Sequence, residues 1–308
     1  MSKVLTGIDQ SQSFRFYLTI STDVVERARE IHDLSPLACA ALGRVLTGAG
    51  LMCVMMKNPR DRLTVQFKGD GPARQIIACG YGDGRVRGYI ADPHVDLPLT
   101  AAGKLDVGGA IGVGELTVIR DIGLKEPYVG TIALVDGEVA DDLTAYYFLS
   151  EQQNTSIALG VKVGREEKVI AAGGMFIQML PEAQETVIDA LEAMLADLPP
   201  MTTVVEETLL QGAGRTEEEL LEAMMERIFG GLAPAYAPQI LEFRDMRWEC
   251  DCSRGRMAQA LMTIGTKELR TLIEEDGGAE LSCQFCGSTY RFSKQELEEI
   301  LLRARTQS

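Results

Sequence analysis

Histidine and tryptophan are nearly missing from this 308-residue chain: it has two histidines, one tryptophan, and only 6% aromatic residues. His32 and His94 stand alone, with no Ser/His/Asp or Cys/His constellation around them. Catalysis built on imidazole therefore has little to draw on, and a non-enzymatic role is expected. Positive charge is also short, with 30 Lys and Arg against 45 Asp and Glu and a formal net charge of −15. Phosphate backbones repel such a chain, so nucleic acid is not an expected partner. Long apolar runs are absent as well. The stretch 51–56 falls far short of the roughly 20 residues needed to cross a bilayer. The opening MSKVLTGIDQSQSF lacks the apolar segment of a secretory leader. The expectation is a cytoplasmic protein with no membrane contact.

What is present is an ordinary globular composition, 46% hydrophobic and 24% charged, on a length that implies two or three domains. The predicted fold class is α+β: a sandwich-like α/β domain over 1–180, an acidic helical linker over 181–240, and a small zinc-binding domain over 241–308. In the first region Leu63, Val65 and Phe67 alternate as in a strand. Residues 75–79 and 85–90 read as strands joined through Gly82-Asp83-Gly84, and further strands are expected at 115–122, 128–135, 156–163 and 168–172. Ser35-Pro36 opens a long helix with Leu37, Ala41, Leu42, Val45 and Leu46 on one face. Asp141 or Asp142 is placed to cap another helix through Tyr146, Tyr147 and Phe148.

The middle region is anionic. Between 182 and 226 stand twelve acidic residues and one basic residue, Arg215. Val187, Ile188, Leu191, Met194, Leu195 and Leu198 repeat at helical spacing, and so do Leu220, Leu221, Met224, Met225, Ile228 and Phe229 behind a Thr216/Glu219 capping box. Like charges this close destabilise an isolated helix, so the apolar stripe must dock to stay folded. Gly230-Gly231, Pro234 and Pro238 mark a linker into the last region.

That last region carries the chemistry: Cys250 and Cys252 in C-x-C, then Cys283 and Cys286 in C-x-x-C. Ser253 and Thr266 are candidate helix caps, 281–292 reads as a hairpin holding Cys283 and Cys286, and Ser293/Glu296 opens a terminal helix. Two close thiol pairs can wrap one tetrahedral ion, and Zn²⁺ is the usual occupant. Some seventy residues make a marginal core, for which a structural metal is a common remedy. Any C-x-C disulfide would be strained unless the chain turned sharply, and strained disulfides are labile. On spacing alone, a static zinc staple and a redox switch both remain open. Arg247, Arg254, Arg256 and Arg291 are near enough in sequence to offset the charge of four thiolates or simply to be solvated. Cys39, Cys53 and Cys79 read as buried apolar residues.

Other motifs carry less. Gly108–Gly114 resembles a nucleotide loop but runs into a strand, so a flexible loop is expected. Gly212-Ala-Gly-Arg-Thr216 has Arg where a P-loop has Lys. The methionine-rich stretches 51–56 and 175–180 read as core, with adaptable binding surface as the lesser alternative.

Along its whole length the chain resembles the heat shock protein 33 family of redox-regulated holdase chaperones. Besides Cys250-Asp-Cys252 and Cys283-Gln-Phe-Cys286, the resemblance rests on Tyr147-Phe-Leu-Ser-Glu-Gln152, Leu159-Gly-Val161, Ala172-Gly-Gly through Leu180-Pro181, Gly69-Asp-Gly-Pro72 and Arg87-Gly-Tyr89. It implies an ATP-independent holdase that protects unfolding client proteins. The reduced form, holding one Zn²⁺ on Cys250, Cys252, Cys283 and Cys286, would be inactive and monomeric. Oxidation would join Cys250 to Cys252 and Cys283 to Cys286, release zinc and give an active homodimer. The competing reading is a structural zinc module on a protein-binding adaptor. A zinc enzyme is disfavoured, because four thiolates leave no open coordination position.

Overall fold

Asp9 closes the first turn of the chain. Its carboxylate accepts the backbone N–H groups of Ser11, Ser13 and Phe14 at 2.9, 2.6 and 2.8 Å, joining β1 (Ser2–Asp9) to β2 (Phe14–Ile20). Neither strand was expected, because both are buried on both faces. In β2, Phe14, Phe16, Leu18 and Ile20 enter one core and Tyr17 the other, which erases the alternation that marks a half-buried strand. These features come from a computed structural model that describes residues 2–307, with side chains through Ala304.

The helix α1 (Thr22–His32) precedes α2 (Pro36–Val54). Ser35 caps α2 as its sequence implies, accepting the Ala38 N–H at 3.2 Å with Pro36 in the first turn. The expected apolar face is buried, but so is nearly every other side of the helix. By length and composition α2 is apolar enough to cross a membrane; 94% of it lies inside the protein, so it is the central core helix. Next come β3 (Arg62–Gly69), β4 (Gln75–Tyr81) and β5 (Arg85–Ile90). Gly84, at φ +81°, closes the β4–β5 turn, and a Cβ there would strike the Asp245 carbonyl.

The stretch Gly108–Gly114, expected as a flexible loop, contains the short helix α3 (Val107–Ile111), because the Asp106 carboxylate caps the Gly109 N–H at 2.8 Å. It leads into β6 (Gly114–Asp121), β7 (Tyr128–Ala133), α4 (Ala140–Leu149), β8 (Thr155–Val163) and β9 (Val169–Met179). Neither Asp141 nor Asp142 occupies the cap position of α4; that residue is Val139. Buried Asp142 works from inside the first turn, accepting the N–H groups of Val135 and Val139 at 2.6 and 3.2 Å.

The acidic segment folds as α5 (Glu185–Ala196), α6 (Met201–Gln211) and α7 (Glu217–Phe229), the last opened by the reciprocal Thr216/Glu219 box. Their apolar faces supply Val187, Leu191, Val204, Leu221 and Phe229 to a core with β1, β2 and β9. The dock that self-repelling helices require is therefore the sheet. After Gly230-Gly231 the chain enters β10 (Pro238–Trp248), which pairs antiparallel with β1 from Ser2↔Met246 to Asp9↔Pro238. Residues 241–248, grouped with the cysteines on sequence, are thus sheet residues.

These strands form one ten-stranded sheet in the order β7-β6-β3-β4-β5-β10-β1-β2-β9-β8. All neighbours are antiparallel except β5 and β10, which run parallel over two residue pairs. The compact division of the chain falls between Glu249 and Cys250. The second unit contains α8 (Arg254–Thr263), α9 (Thr266–Thr271) running into a π-helical turn at Leu272–Asp276, β11 (Gly278–Ser282), β12 (Thr289–Ser293) and α10 (Lys294–Gln307). Ser253 caps α8, whereas Gly265 rather than Thr266 precedes α9. Its core is small: Leu261, Leu269, Ile273, Phe292, Leu297, Ile300 and Ala304.

Candidate metal centre

Two local structures present the four cysteines. Cys250 and Cys252 lie in the irregular segment before α8, whose start is fixed by the Ser253 hydroxyl accepting the Arg256 N–H. Cys283 and Cys286 form a knuckle between β11 and β12. There the Cys283 N–H reaches the Ser288 carbonyl at 2.9 Å, the Gly287 N–H reaches the Cys283 carbonyl at 2.8 Å, and Gly287 takes φ +70° to reverse the chain.

The fold brings all four thiols together, with every sulfur within 4.8 Å of the others. Cys250 Sγ lies 3.7 Å from Cys283 Sγ, and Cys252 Sγ lies 3.3 Å from Cys286 Sγ. A tetrahedral ion with Zn–S bonds of about 2.3 Å requires sulfurs about 3.8 Å apart. The cluster is therefore the right size for one such ion, and its all-sulfur donor set suits Zn²⁺. Among the described residues this is the one group of His, Cys, Asp and Glu side chains arranged to hold a metal. His32 is engaged elsewhere, with Nε2 donating to the Gly88 carbonyl at 3.0 Å.

Two residues around the sulfurs were not singled out from sequence. The Tyr290 hydroxyl donates to Cys252 Sγ at 3.1 Å, and the Ser288 hydroxyl lies 3.2 Å from Cys286 Sγ. Both sit on the strand returning from the knuckle, in Cys286-Gly-Ser-Thr-Tyr290. A hydroxyl within four residues of a ligand cysteine on a hairpin is the signal that marks them. Hydrogen bonding to Cys252 holds the Tyr290 phenol up at about 12, so it stays a donor. Burial raises the thiols of Cys250, Cys252 and Cys283. At Cys286 burial also pushes upward, but hydrogen bonding with the Ser288 hydroxyl and backbone and with Cys252 and Cys250 outweighs it, bringing this thiol down to about 7.

The nearby arginines are already committed. Arg256 meets Asp251 at 2.5 Å, Arg254 meets Glu296 at 2.6 Å, Arg291 meets Glu280 at 2.6 Å, and Arg247 meets Glu249 at 2.9 Å. Each of these cations is paired with a carboxylate of its own, while the Tyr290 and Ser288 hydroxyls lie within hydrogen-bond distance of the sulfurs of Cys252 and Cys286. The remaining cysteines match the apolar expectation in part. Cys39 and Cys53 are fully buried, and burial pushes both thiols up, Cys39 to about 12. Cys79 is only half-buried, with its sulfur 3.5 Å from the Thr64 hydroxyl.

A small unit with four convergent sulfurs, following a domain built on one large mixed sheet, defines a two-unit protein with a four-cysteine cluster able to hold a metal ion. The protein-family model described as Hsp33 protein matches residues 2–293, and the chain belongs to that family. It is 42% identical over 289 residues to the 33 kDa chaperonin of Caldanaerobacter subterraneus subsp. tengcongensis, covering 94% of each chain. It is 43% identical over 287 residues to the 33 kDa chaperonin of Ruminiclostridium cellulolyticum, covering 93% of each. The crystal structure of the 33 kDa chaperonin (heat shock protein 33 homolog) from Thermotoga maritima superposes with a TM-score of 0.84 at 35% identity, over 99% of both chains.

Proposed function

We propose that this protein is a cytoplasmic, ATP-independent holdase chaperone, switched by the oxidation state of Cys250, Cys252, Cys283 and Cys286. In this reading 1–180 binds clients and dimerises, α5–α7 within 181–240 form the responsive linker, and the unit that begins at Cys250 carries the switch. The four-sulfur cluster in a family of chaperonin-named proteins carries the reading. Bound Zn²⁺ would keep the cysteines as thiolates and tie together a unit whose own core is small.

The pairing of the sulfurs supports a switch over a permanent staple. The approaches of Cys250 to Cys283 and of Cys252 to Cys286 each join one cysteine of C-x-C to one of C-x-x-C, so the centre bridges segments 33 and 34 residues apart. Disulfides between Cys250 and Cys252, and between Cys283 and Cys286, would each close only a tiny loop. They would consume all four thiolates and leave no long-range tie in place. For each pair, two thiolates give two electrons to one hydrogen peroxide: an S–S bond forms, the O–O bond breaks, and with two protons taken from solvent both oxygens leave as water. Two peroxides account for the four thiols.

The unit then loses its staple. Cys250 follows β10 by a single residue, Glu249, and β10 shares its sheet with the strands that dock α5–α7. Loosening passed along β10 would free apolar stripes next to a strongly anionic surface, able to hold a sticky client in solution. The deciding experiment compares zinc-reduced and peroxide-treated protein for suppression of client aggregation while zinc release and mass are followed. A reduced form as active as the oxidised one, or oxidation without zinc release, would end this reading.

A further inference from the structure

The two edges of the ten-stranded sheet are finished differently. The β8 edge carries Lys162, bonded to Glu206, and a register irregularity at Lys162/Val163. Charges and bulges of this kind are how sheets discourage further strand pairing. The β7 edge has no such guard. Tyr128-Val-Gly-Thr-Ile-Ala133 holds no charged residue, and among the described residues it pairs only with β6.

The β6–β7 register shows what β7 offers. Leu134 N–H donates to the Gly114 carbonyl at 2.9 Å, and Glu115↔Ala133 is the next pair along. Antiparallel pairs alternate between hydrogen-bonded and non-bonded. Tyr128, Gly130 and Ile132 therefore bond to β6, while the N–H and C=O groups of Val129, Thr131 and Ala133 point away from the sheet. Val129, Thr131 and Ala133 are also exposed in their side chains. Exposed Ile122, Leu124 and Tyr128 stand at one end of this row, on the rim of a hollow of about 610 Å³ that also contains Met55 and Met56. A row of alternating donors and acceptors at strand spacing is satisfied by an extended backbone, and the hollow beside it, lined by Met55, Met56 and Tyr147 as well as by Arg120 and Glu151, offers flexible methionines on which side chains of differing shape can pack.

We infer that β7 is a strand-addition site for an extended segment of an unfolding client protein, an inference that rests on the chaperone reading above. A second copy of the chain fits the edge less well. Self-pairing centred on Thr131 brings the acidic flanks of β7, Glu126 of one copy and Asp136 of the other, to the same ends of the pair, between two chains that each carry a net charge of −15. Like charges directly opposite are unfavourable. Three outward residues hold a segment weakly. In the oxidised protein, apolar surface from α5–α7 supplies a second contact on the same client, and the linked contacts bind tightly.

The test uses the full-length oxidised protein and one permanently unfolded probe, reduced and carboxymethylated α-lactalbumin. Amide exchange is read residue by residue with and without probe. Binding is measured for wild type, Thr131→Pro, which removes an outward N–H while sparing the β6 ladder, and Val129→Lys. The expected result is about tenfold slower exchange at Val129, Thr131 and Ala133 in the complex, and binding at least about threefold weaker in both variants. The amides of Tyr128, Gly130 and Ile132 report whether β7 still pairs with β6; if a variant loses them, the wild-type exchange data decide alone. If wild type binds the probe but the three amides are unchanged, or the folded variants bind equally well, strand addition at β7 is wrong and the chaperone reading stands. If the oxidised wild type does not bind the probe, both fall.

Discussion

Cys252 and Cys286 hold their sulfurs 3.3 Å apart across 34 residues of sequence, with Cys250 and Cys283 3.7 Å apart beside them. The centre thereby ties the start of the second unit to the knuckle between its two strands. Seven buried side chains make up the rest of that unit's described core. Structural zinc sites contribute on the order of 10–16 kcal/mol of apparent binding free energy, more than so small a core supplies. Chelation of the reduced protein should therefore unfold 250–307 while the sheet unit, with its own two cores, remains folded. Hydrogen exchange mapped over both units, with metal content measured in parallel, checks this. Retention of protected amides across β11 and β12 after complete zinc removal would contradict it.

Tyr290→Phe removes the hydroxyl that donates to Cys252 Sγ and little else. Groups that hydrogen-bond metal ligands commonly change affinity by about 10–100-fold when lost. The variant is expected to bind zinc about tenfold more weakly and to release it faster under peroxide, with an unchanged fold in the loaded state. Competition with a chromogenic chelator gives the affinity. Equal affinities for the two proteins would show that the hydroxyl does not support the sulfur.

Glu296 gives the second unit a defined acid response. The Ser293 N–H, then Arg254 and the Ser293 hydroxyl, hold its carboxyl down at about 2. Its pKa is lower folded than unfolded, so its contribution is complete above the unfolded value of about 4.3. It is lost as pH falls through about 2. Nothing from this group should change between pH 5 and 8. A carboxyl ¹³C titration of the zinc-loaded protein should place Glu296 near 2, and Glu296→Gln should fray the start of α10 at neutral pH.

Much of the second unit was legible in the sequence because its determinants are local. The cysteine pairs, the Ser253 cap, the Ser293/Glu296 box and the β11–β12 hairpin each depend on residues a few positions apart. In the first unit the Ser35-Pro36 start and the Thr216/Glu219 box were readable for the same reason. What stayed hidden depends on partners distant in sequence. β1 and β2 lie between two cores and lack polar alternation. β10 has charges along Glu242-Phe-Arg-Asp-Met-Arg247 that conceal its place beside β1. Arg244, one of them, donates to the carbonyls of Val54 and Gly82, a role no local pattern encodes. Tyr290 stands only four residues from Cys286, a local signal that the hairpin supplies, but which sulfur it reaches is set by Cys252, 38 residues away.

Phe229 tests whether the acidic helices depend on the sheet. Its ring is fully buried at the end of α7, with centroids 4.6 Å from Phe16 and 5.9 Å from Phe14 on β2. Truncating a buried phenylalanine to alanine costs about 3–5 kcal/mol, from lost transfer energy and the cavity left behind. In α7 the loss falls on a helix with three consecutive glutamates at its start and only Arg227 as a base in its last turn. Phe229→Ala should therefore loosen α7 before the rest of the sheet unit melts. Exchange should rise across 217–229 in the reduced, zinc-loaded protein, and binding of a hydrophobic dye should rise with it. Zinc content should stay at one per chain, because the four cysteines are untouched. If the dye response and exchange match wild type while global stability falls by the full amount, α7 unfolds only with the sheet. A linker that opens before the sheet would then be the wrong account of how apolar surface is released.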